Sequence, residues 1–575
     1  MTGRRGAPAR RGAGLPRASG RRRTLLHACL LALLLPAAHA QTRTVEILNA
    51  DLVTVETDSA GTVRRLDGNV RLRQDTTLLS ARSAVYDEAR STVTLRGGVR
   101  VVSGRNTLTA EDVLYRSDTR VAEATSSVRV DDGVSTLLAP AATHDTRTEV
   151  STFSGGGRIL HRGAVITSPE GTYSAGTRVA RMSGPVRLVD STGVLTAARG
   201  TYDARVQRAD FAGSVRLRQP DARLHADSLV YFRRTERARA YGRVVLERIG
   251  EGRADGGARA APADSSRRSF LFGEEMLTDG PAGTAQARGE TRTGVPPRDP
   301  LLVTLQGRAD GGVDSTLTRA PRLDALRTVA GADTVQTLVA WGAPGEGTPG
   351  TGERAPGTGA VRLVDARLAA VADSAHLNRR LAPGGTVDRL GLFGAARPSA
   401  WADGAQLTGD TLTVASRAGR VDTLLVVGRA FSARVDSAVG RVQQIAGGRM
   451  QAFFVGDSLR RLAVWPTAEA FTYRADGPET ARRLAGADRL SADSLAIVIA
   501  GGTVREVRGY GGIAGTTYGP RIVPDARLPG YAFTPDAAPT RAAVLDVDGW
   551  EAAWLAAFGP TPDALRPPDD RPPDP

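Results

Sequence analysis

The stretch Gly68-Asn69-Val70-Arg71-Leu72, with Leu79 and Tyr86 after it, decides the fold of this chain because its pattern returns every 29 residues. Each copy is marked by glycine, or once by serine, at Gly68, Gly97, Ser126, Gly155, Gly184, Gly213 and Gly242. A tyrosine keeps the same step at Tyr86, Tyr115, Tyr173, Tyr202 and Tyr231, with His144 in the remaining place. A fixed period of this length indicates a stacked array of similar supersecondary units rather than a compact enzyme core.

Each unit has the alternation of a strand with one buried face. Apolar residues lie two places before the repeat glycine and two and four places after it, with mostly polar residues between them. A second strand starts eleven places after the glycine, at Leu79 in the first copy. The pattern predicts about a dozen strands between Val45 and Ile249. Simple alternation also places the repeat glycine on the buried face and the tyrosine on the opposite face.

The third residue after the repeat glycine is an arginine in six copies, at Arg71, Arg100, Arg129, Arg158, Arg187 and Arg216. Alternation places this column on the outward face. It is either a solvated face that keeps stacked strands soluble or a column that meets anionic headgroups.

The N-terminus has the pattern of a secretory signal peptide. Eight arginines and no acidic residue precede the apolar run from Leu25 to Leu35, and the small residues Ala38 and Ala40 predict cleavage before Gln41. An alternative is a lipoprotein signal ending at Cys29, although His27 fits that motif poorly. Cleavage would remove the only cysteine and lower the formal net charge from +15 to +7, because it removes eight arginines. The mature protein would then have no disulfide and would reside in the periplasm.

Composition changes along the chain suggest seven segments. They are a signal peptide (1–40), the β-repeat domain (41–250), a linker with a degraded repeat (251–300), a β segment (301–341), a low-complexity linker (342–360), a second, looser β-repeat array (361–520) and a C-terminal segment with a short helix and a Pro-rich disordered tail (521–575). The looser array is marked by an Asp-Ser/Thr step at Asp373, Asp410, Asp457 and Asp493. The short helix is expected at 549–558.

No catalytic, metal or cofactor motif is present. Residues 345–350 fit G-x-G-x-x-G but contain a proline and open no helix, and residues 509–514 are also not followed by a helix. The chain contains no lysine, which excludes a Walker-type loop. Glu111 and Asp227 occupy matching repeat positions as single carboxylates, and the histidines are scattered. We therefore expect no enzyme activity, no cofactor, no metal and no nucleic-acid partner.

The repeat resembles the OstA/LptA family of lipopolysaccharide transport, whose units combine G-N-V-x-Φ with Φ-x-A-D-x-Φ-x-Y. Residues 68–72 match the first half, and residues 224–231 (LHADSLVY) and 108–115 (LTAEDVLY) match the second half. The resemblance covers about residues 45–250 well and the later array weakly. The chain is longer than the minimal bridge proteins of that family, and no barrel-forming C-terminus follows.

The resemblance implies an all-β, open β-jellyroll of antiparallel strands whose aliphatic interior shields lipid A acyl chains between the inner and outer membranes. Partners would be lipopolysaccharide or a related glycolipid, and other bridge proteins or further copies stacked through edge strands. The candidate groove-lining residues are Leu66, Val70, Leu72, Leu79, Leu95, Val99, Val101, Leu108, Val128, Val130, Phe153, Ile159, Met182, Val186, Leu188, Leu195, Phe211, Val215, Leu217 and Leu224.

Two alternatives remain open from the residues alone. A parallel β-helix of an adhesin or a carbohydrate-acting enzyme also tolerates a period near 29. A structural scaffold of the cell envelope with a filled core is the other. A groove open along one edge would favour transport, whereas a closed core would favour the alternatives.

Overall fold

The computed structural model describes residues 44–545, apart from residues 60, 250–267, 290–297, 308–312, 331–332, 343–359, 383–384, 403, 418–419, 437–438, 457, 478–482 and 501–502. The predicted signal peptide, much of the two predicted linkers, the helix expected at 549–558 and the Pro-rich tail therefore lie outside the described residues. The described part is a long array of β-strands, which we divide into an N-terminal array, β1–β17, and a C-terminal array, β18–β38.

The N-terminal array consists of β1 Glu46–Asn49, β2 Leu52–Asp58, β3 Gly61–Gln74, β4 Thr77–Asp87, β5 Thr92–Ser103, β6 Asn106–Arg116, β7 Val121–Asp131, β8 Ser135–Asp145, β9 Val150–Ser154, β10 Gly157–His161, β11 Ala164–Ser168, β12 Glu170–Ser174, β13 Val179–Val189, β14 Val194–Asp203, β15 Arg208–Arg218, β16 Ala222–Phe232 and β17 Arg237–Ile249.

The C-terminal array consists of β18 Arg268–Asp279, β19 Thr284–Arg288, β20 Leu301–Gly307, β21 Val313–Arg319, β22 Arg322–Ala330, β23 Asp333–Trp341, β24 Val361–Val364, β25 Ala369–Ala372, β26 Ser374–Ala382, β27 Gly385–Phe393, β28 Ser399–Ala402, β29 Ala405–Thr408, β30 Thr411–Arg417, β31 Arg420–Asp436, β32 Arg441–Val455, β33 Ser458–Trp465, β34 Ala468–Asp476, β35 Arg483–Ala492, β36 Ser494–Ala500, β37 Thr503–Tyr510 and β38 Ala514–Tyr518. A 3₁₀ turn, Pro535–Ala537, and the helix α1, Arg541–Leu545, follow.

The strands pair antiparallel throughout the described residues, so the expected antiparallel all-β fold is confirmed and the parallel β-helix is wrong. Long neighbouring strands such as β3, β4 and β5 pair in sequence order. The ladder continues from β17 to β18, where Val244 pairs with Gly273. The proposed boundaries between domains stay predictions.

In the N-terminal array, the long strands that contain the repeat glycine, or Ser126 in β7, are bent there by a β-bulge. In β3, Gly68 and Asn69 together oppose a single residue of β4, and their φ angles are +75° and +46°. Glycine is favoured because an L side chain rarely adopts this φ and because a Cβ at Gly68 would lie 2.2 Å from the Asp51 carboxylate. The glycine therefore bends the strand at an apex. It does not occupy a regular inward position, as simple alternation had predicted.

The bend folds the sheet into two facing layers. Layer A contains the half-strands after the bulge, such as residues 70–74 and 77–81, and layer B contains the other halves, such as residues 61–67 and 83–87. In the C-terminal array, β20–β21, β24–β25 and β28–β29 form hairpins of layer A. Between them, β22–β23 and β26–β27 form hairpins of layer B. One hydrophobic core lies between the layers from Val45 to Ile497.

The two arrays share the geometry of their apex. Asp51 and Asp410 each donate their backbone N–H to the carbonyl oxygens of the apex glycine, Gly68 or Gly428, and of the residue before it, at 2.9–3.0 Å. The side chains of Asp373, Asp410 and Asp493 of the Asp-Ser/Thr step lie against Gly394, Gly428 and Gly511, as that of Asp51 lies against Gly68, whereas Asp457 lies outside the described residues. The irregular step thus marks the same bend as the strict repeat.

The C-terminal segment returns along the outer face of layer A. The side-chain amide of Gln444 donates to the Ala526 carbonyl oxygen at 2.7 Å and accepts the Leu528 N–H at 2.9 Å. Gln406 binds Ala532 and Thr534 in the same two-sided way. Farther along, Arg319 donates to the carbonyl oxygens of Val544 and Leu545. Residues 526–545 therefore form a strap across the C-terminal array.

Candidate functional site

The candidate groove-lining residues of the N-terminal array face the space between the two layers. Leu66, Val70, Val186 and Leu188 are at most 2% exposed. Of the twenty candidates, all but Leu217 are buried, and Leu217 is partly buried against the same core. Because these side chains pack against one another, the N-terminal interior is closed in this structure.

The repeat tyrosines also face this interior, contrary to the expectation from alternation. Tyr115, Tyr173 and Tyr202 are at most 1% exposed, and His144 is 1% exposed in the same position. The expectation was wrong because the bulge also changes the alternation of the strand opposite. In β4, Leu79 and Ala81 are buried on one side of the bend and Ala84 and Tyr86 on the other.

A polar seam joins the two layers at the edge opposite the apex. Each contact of the seam joins the layer A turn of one unit to the region around the layer B tyrosine of the next unit. The four contacts that define the seam are Gln74 with Tyr115, Ser103 with Thr146, Asp132 with Tyr173 and Asp190 with Arg233. Tyr115 donates to Gln74 Oε1 at 2.5 Å, and Gln74 Nε2 donates to the Ser117 carbonyl oxygen at 2.9 Å. The other contacts measure 2.7–2.9 Å. The apex is continuous backbone, so only this seam could open without breaking strand hydrogen bonds.

Burial perturbs the ionisable groups near the seam. Burial lowers the pKa of His144 to about 4, although the nearby Asp145 opposes that shift. Burial raises the pKa of Tyr173, and its hydrogen bond to Asp132 raises it further. The tyrosines of the seam and the nearby His144 are therefore neutral at pH 7, whereas Asp190 and Arg233 form an ion pair across the seam.

The inner face of layer B in the C-terminal array carries two continuous apolar rows. The row nearest the apex runs through directly paired residues and is buried, as Leu323, Ala375 and Val426 show at 0%, 3% and 0% exposure. The second row, one step farther from the apex, includes Leu377 and Leu390, which are only partly buried.

Partly buried residues recur through this array on the inward positions of both layers. They are Leu302, Ala325, Leu368, Leu377, Leu390, Leu407, Val421, Ile445, Phe454, Leu459, Leu490 and Ile499. We call this set the accessible groove. These positions are hard to recognise in the sequence because the uneven spacing of the later units hides their alternation, although Leu323 and Ala325 already show period two.

A separate cleft of about 780 Å³ opens at the apex between β8, β10 and β11. Its exposed rim includes Pro140, Pro169 and Pro185, and the buried Val128 and Ala139 also line it. The cleft coincides with the unit in which Gly157 replaces the inward valine.

The described residues contain no group of three or more His, Cys, Asp or Glu side chains that could hold a metal ion. His144 and His161 bind Ser151 and Ser135 at 2.9 Å. Glu111 and Asp227 belong to different units at the apex, where Asp227 pairs with Arg243.

Of the two glycine patterns, residues 509–514 connect β37 to β38, and residues 345–350 lie outside the described part. No described helix is both long enough and apolar enough to cross a membrane.

The N-terminal repeat region matches a known protein family. The family model described as OstA-like protein matches residues 42–197. Residues 42–197 are thus similar to the OstA-like family. The resemblance predicted from the repeats is thereby confirmed there, although the matched region ends before the last units at residues 198–250. No curated protein matches the chain.

Among solved structures, one similar chain is LptH from Pseudomonas aeruginosa, described as the LptA-homologous periplasmic component of the conserved lipopolysaccharide transport device. The two chains are 11% identical, the match covers 24% of this chain and 82% of LptH, and the TM-score is 0.13.

Proposed function

We propose that this protein is a non-enzymatic, lipid-binding bridge that carries lipopolysaccharide, or a related glycolipid, from the inner to the outer membrane. The observation that supports this best is the accessible groove, where inward aliphatic residues of both layers, such as Leu302 and Leu377, remain partly exposed. A partly exposed aliphatic surface between two layers suits an acyl chain that must be shielded from water. No bond-making and no cofactor are needed for this task.

The energetic gain is large enough for such a role. Burying one methylene group contributes about 0.8 kcal/mol, so a chain of about twelve carbons gains roughly 10 kcal/mol before the cost of ordering it. The second inner row of layer B includes Leu338, Leu377, Leu390 and Val414 on the consecutive neighbouring strands β23, β26, β27 and β30. An acyl chain lying along this row would contact several strands at once.

The twenty candidate residues of the N-terminal array are part of this proposal. They line the same space as the accessible groove, but their side chains fill it. Lipid would reach Val186 or Leu188 only if the layers separated at the polar seam. Opening the seam requires side-chain hydrogen bonds such as Tyr173 to Asp132 to break, whereas the strand ladders stay intact.

The ends of the array suit stacking with other bridge proteins or with further copies. At the first edge, β1 and β2 pair only with β3 among the described residues, and Leu52 and Val55 are 59% and 56% exposed. At the other end, Tyr510 and Ile513 are 52% and 60% exposed. Unpaired edge strands of this kind can extend a neighbouring sheet.

The predicted leader places this activity in the periplasm, with a mature chain beginning at Gln41. N-terminal sequencing of the protein recovered from the periplasm tests this placement. Recovery of an acylated protein that starts at Cys29 in the membrane fraction would instead support the lipoprotein signal and contradict cleavage before Gln41. We propose that the three β segments, residues 41–250, 301–341 and 361–520, together form one continuous conduit for the lipid.

Depletion of the protein in its source organism tests the function. We expect newly made glycolipid to accumulate at the inner membrane, because nothing would shield its acyl chains on the way across. Normal arrival of glycolipid at the outer membrane, together with a loss of envelope integrity, would contradict transport.

That second result would support a structural scaffold of the cell envelope instead. One observation favours the scaffold, namely that the N-terminal interior is filled by its own side chains. The accessible groove of the C-terminal array favours transport, because a scaffold has no need of partly exposed inward aliphatic residues.

A further inference from the structure

A row of polar side chains crosses the inner face of layer B beside the accessible groove. It consists of Arg327, Gln336, Arg379, Asp388 and Ser416, on the neighbouring strands β22, β23, β26, β27 and β30, and we call it the polar rim. Each of these residues pairs directly with the next across the sheet.

The rim faces the same side of the sheet as the apolar rows. On β26, Ala375, Leu377 and Arg379 are alternate residues, and no register shift interrupts the pairing of β22, β23, β26, β27 and β30. Moving from the apex toward the turns of layer B, one therefore crosses a buried apolar row, a partly buried apolar row and then the polar rim.

The centre of the rim is an ion pair beside the apolar rows. Arg379 donates to both carboxylate oxygens of Asp388, at 2.7 and 2.8 Å, and the two side chains are 12% and 16% exposed. Withdrawing such a pair from water costs several kcal/mol per ion, and apolar residues of similar volume often stabilise a protein equally well. Stability alone therefore does not account for this pair. Asp388 engages two of the five N–H donors of Arg379, so donors remain for a ligand.

One end of the rim is cationic. Arg327 approaches the Asp221 carboxylate at 3.8 Å, and Arg248 of β17 lies close to both side chains. Burial lowers the pKa of Arg248, Asp221 opposes that shift and Arg327 adds to it. The guanidinium groups of Arg248 and Arg327 thus lie close enough to repel each other at the junction of the two arrays, and together they offer paired donors to an anion.

We infer that the polar rim is a binding site for the anionic, phosphate-bearing headgroup of an amphiphile whose acyl chains lie on the neighbouring apolar rows. This assignment rests on the proposed function and specifies its ligand class. Guanidinium groups form paired hydrogen bonds with phosphate oxygens, and Gln336 and Ser416 add neutral donors. The rim and the rows together match the two ends of such a molecule.

Two amphiphiles with the same chain and different headgroups test the site. Dodecyl phosphate and dodecyl maltoside are titrated, below their critical micelle concentrations, into the full mature protein and into the double variant Arg379→Leu/Asp388→Leu. The double variant keeps the net charge and leaves no unpaired carboxylate. We expect the Kd for dodecyl phosphate to rise by about tenfold or more, which corresponds to about 1.4 kcal/mol, and the Kd for dodecyl maltoside to stay within a factor of about two.

The matched control is Arg389→Leu, which removes an exposed arginine next to Asp388 on the outer face of β27. It should leave the affinity for both amphiphiles unchanged, and thermal melts should show that all variants fold. Equal weakening of both amphiphiles, or no weakening of either, would overturn the headgroup site while the transport proposal stands. If the wild-type protein bound neither amphiphile, the proposed function itself would be wrong, and the headgroup site with it.

Discussion

The N-terminal and C-terminal arrays share an apex but differ in how their interiors meet water. In the N-terminal array the inward row nearest the seam includes Leu72 and Leu188, at 0% and 2% exposure. The equivalent positions of the C-terminal array, such as Leu407 and Ile445, are only partly buried. The same strand alternation thus gives a closed core in one array and an accessible groove in the other. The pattern of inward residues therefore specifies the two layers, whereas the packing at the edge of the layers determines how far solvent reaches the interior.

The outer faces differ as well. In the N-terminal array the arginine column crosses layer A in direct register, for example from Arg158 through Thr167 to Arg187, and stays exposed. In the C-terminal array the corresponding face is apolar and is covered by the strap, with Phe431 and Leu528 at 0% and 2% exposure. The arginine column therefore leaves its face of the N-terminal array exposed, whereas the strap covers the corresponding face of the C-terminal array.

The largest expected effect concerns the closed interior. Val186→Asp places a charge among fully buried aliphatic residues, and we expect it to lower the free energy of unfolding by about 4 kcal/mol or more. Arg187→Ser, on the exposed face of the same strand, should cost about 0.5 kcal/mol or less. Chemical denaturation of both variants measures the difference.

Substitution of Leu377 by aspartate tests whether the interior of the C-terminal array is more open than that of the N-terminal array. Because Leu377 is partly exposed, Leu377→Asp should cost only about 1–2 kcal/mol. Equal losses at Val186 and Leu377 would show that the two interiors are equally closed.

The second prediction uses the pH dependence of the closed array. The pKa of His144 is about 4 in the folded chain, against 6.5 for an ordinary histidine. The unfolded state therefore binds the proton more readily, and stability should fall by about 3 kcal/mol as the pH is lowered from 6.5 to 4. His144→Tyr restores the usual residue of the repeat and should remove this part of the pH dependence. An unchanged profile would mean that His144 is not held neutral by burial.

The third prediction concerns the polar seam. Tyr173→Phe removes the hydroxyl that donates to Asp132 at 2.7 Å, and we expect a loss of about 2 kcal/mol in unfolding free energy. The matched control is Tyr510→Phe, because Tyr510 is 52% exposed at the far end of the C-terminal array. If both variants were equally stable, the seam would contribute nothing to closure.

The smallest expected effect concerns the strap. Gln444→Ala removes both bonds to residues 526–528, and we expect faster hydrogen exchange there, equivalent to about 1 kcal/mol of local stability. Gln443→Ala, on the opposite face of β32, should leave exchange in the strap unchanged. Exchange that is equally fast in both variants would show that Gln444 does not hold the strap.

The sequence predicts the strands and most of their inward residues, because side-chain alternation holds on either side of each bend. The repeat glycine marks the bulge in nearly every unit, and the apolar residues on either side of it are inward in the structure. Alternation fails at the tyrosine because a bulge in one strand shifts the side-chain direction of its partner. Tyr86 is seven residues after Leu79, yet both are buried.

The accessible groove, the polar rim and the strap could not be derived from local pattern. Arg379 and Asp388 are nine residues apart and show their relation only once β26 and β27 pair. Gln406 and Gln444 bind backbone that follows them by more than 80 residues. Such contacts depend on how distant segments meet, which no period in the sequence records.

Photo-crosslinking from paired inward and outward positions tests the central claim most directly. A photoreactive residue is placed at Leu377 or Leu188 on the inward faces, and at Arg389 or Arg187 on the outward faces of the same arrays. We predict crosslinks to glycolipid in cells at Leu377, weaker crosslinks at Leu188 because the seam must open first, and none at the two arginine positions. Equal crosslinking at inward and outward positions, or none at Leu377, would contradict a lipid conduit between the two layers.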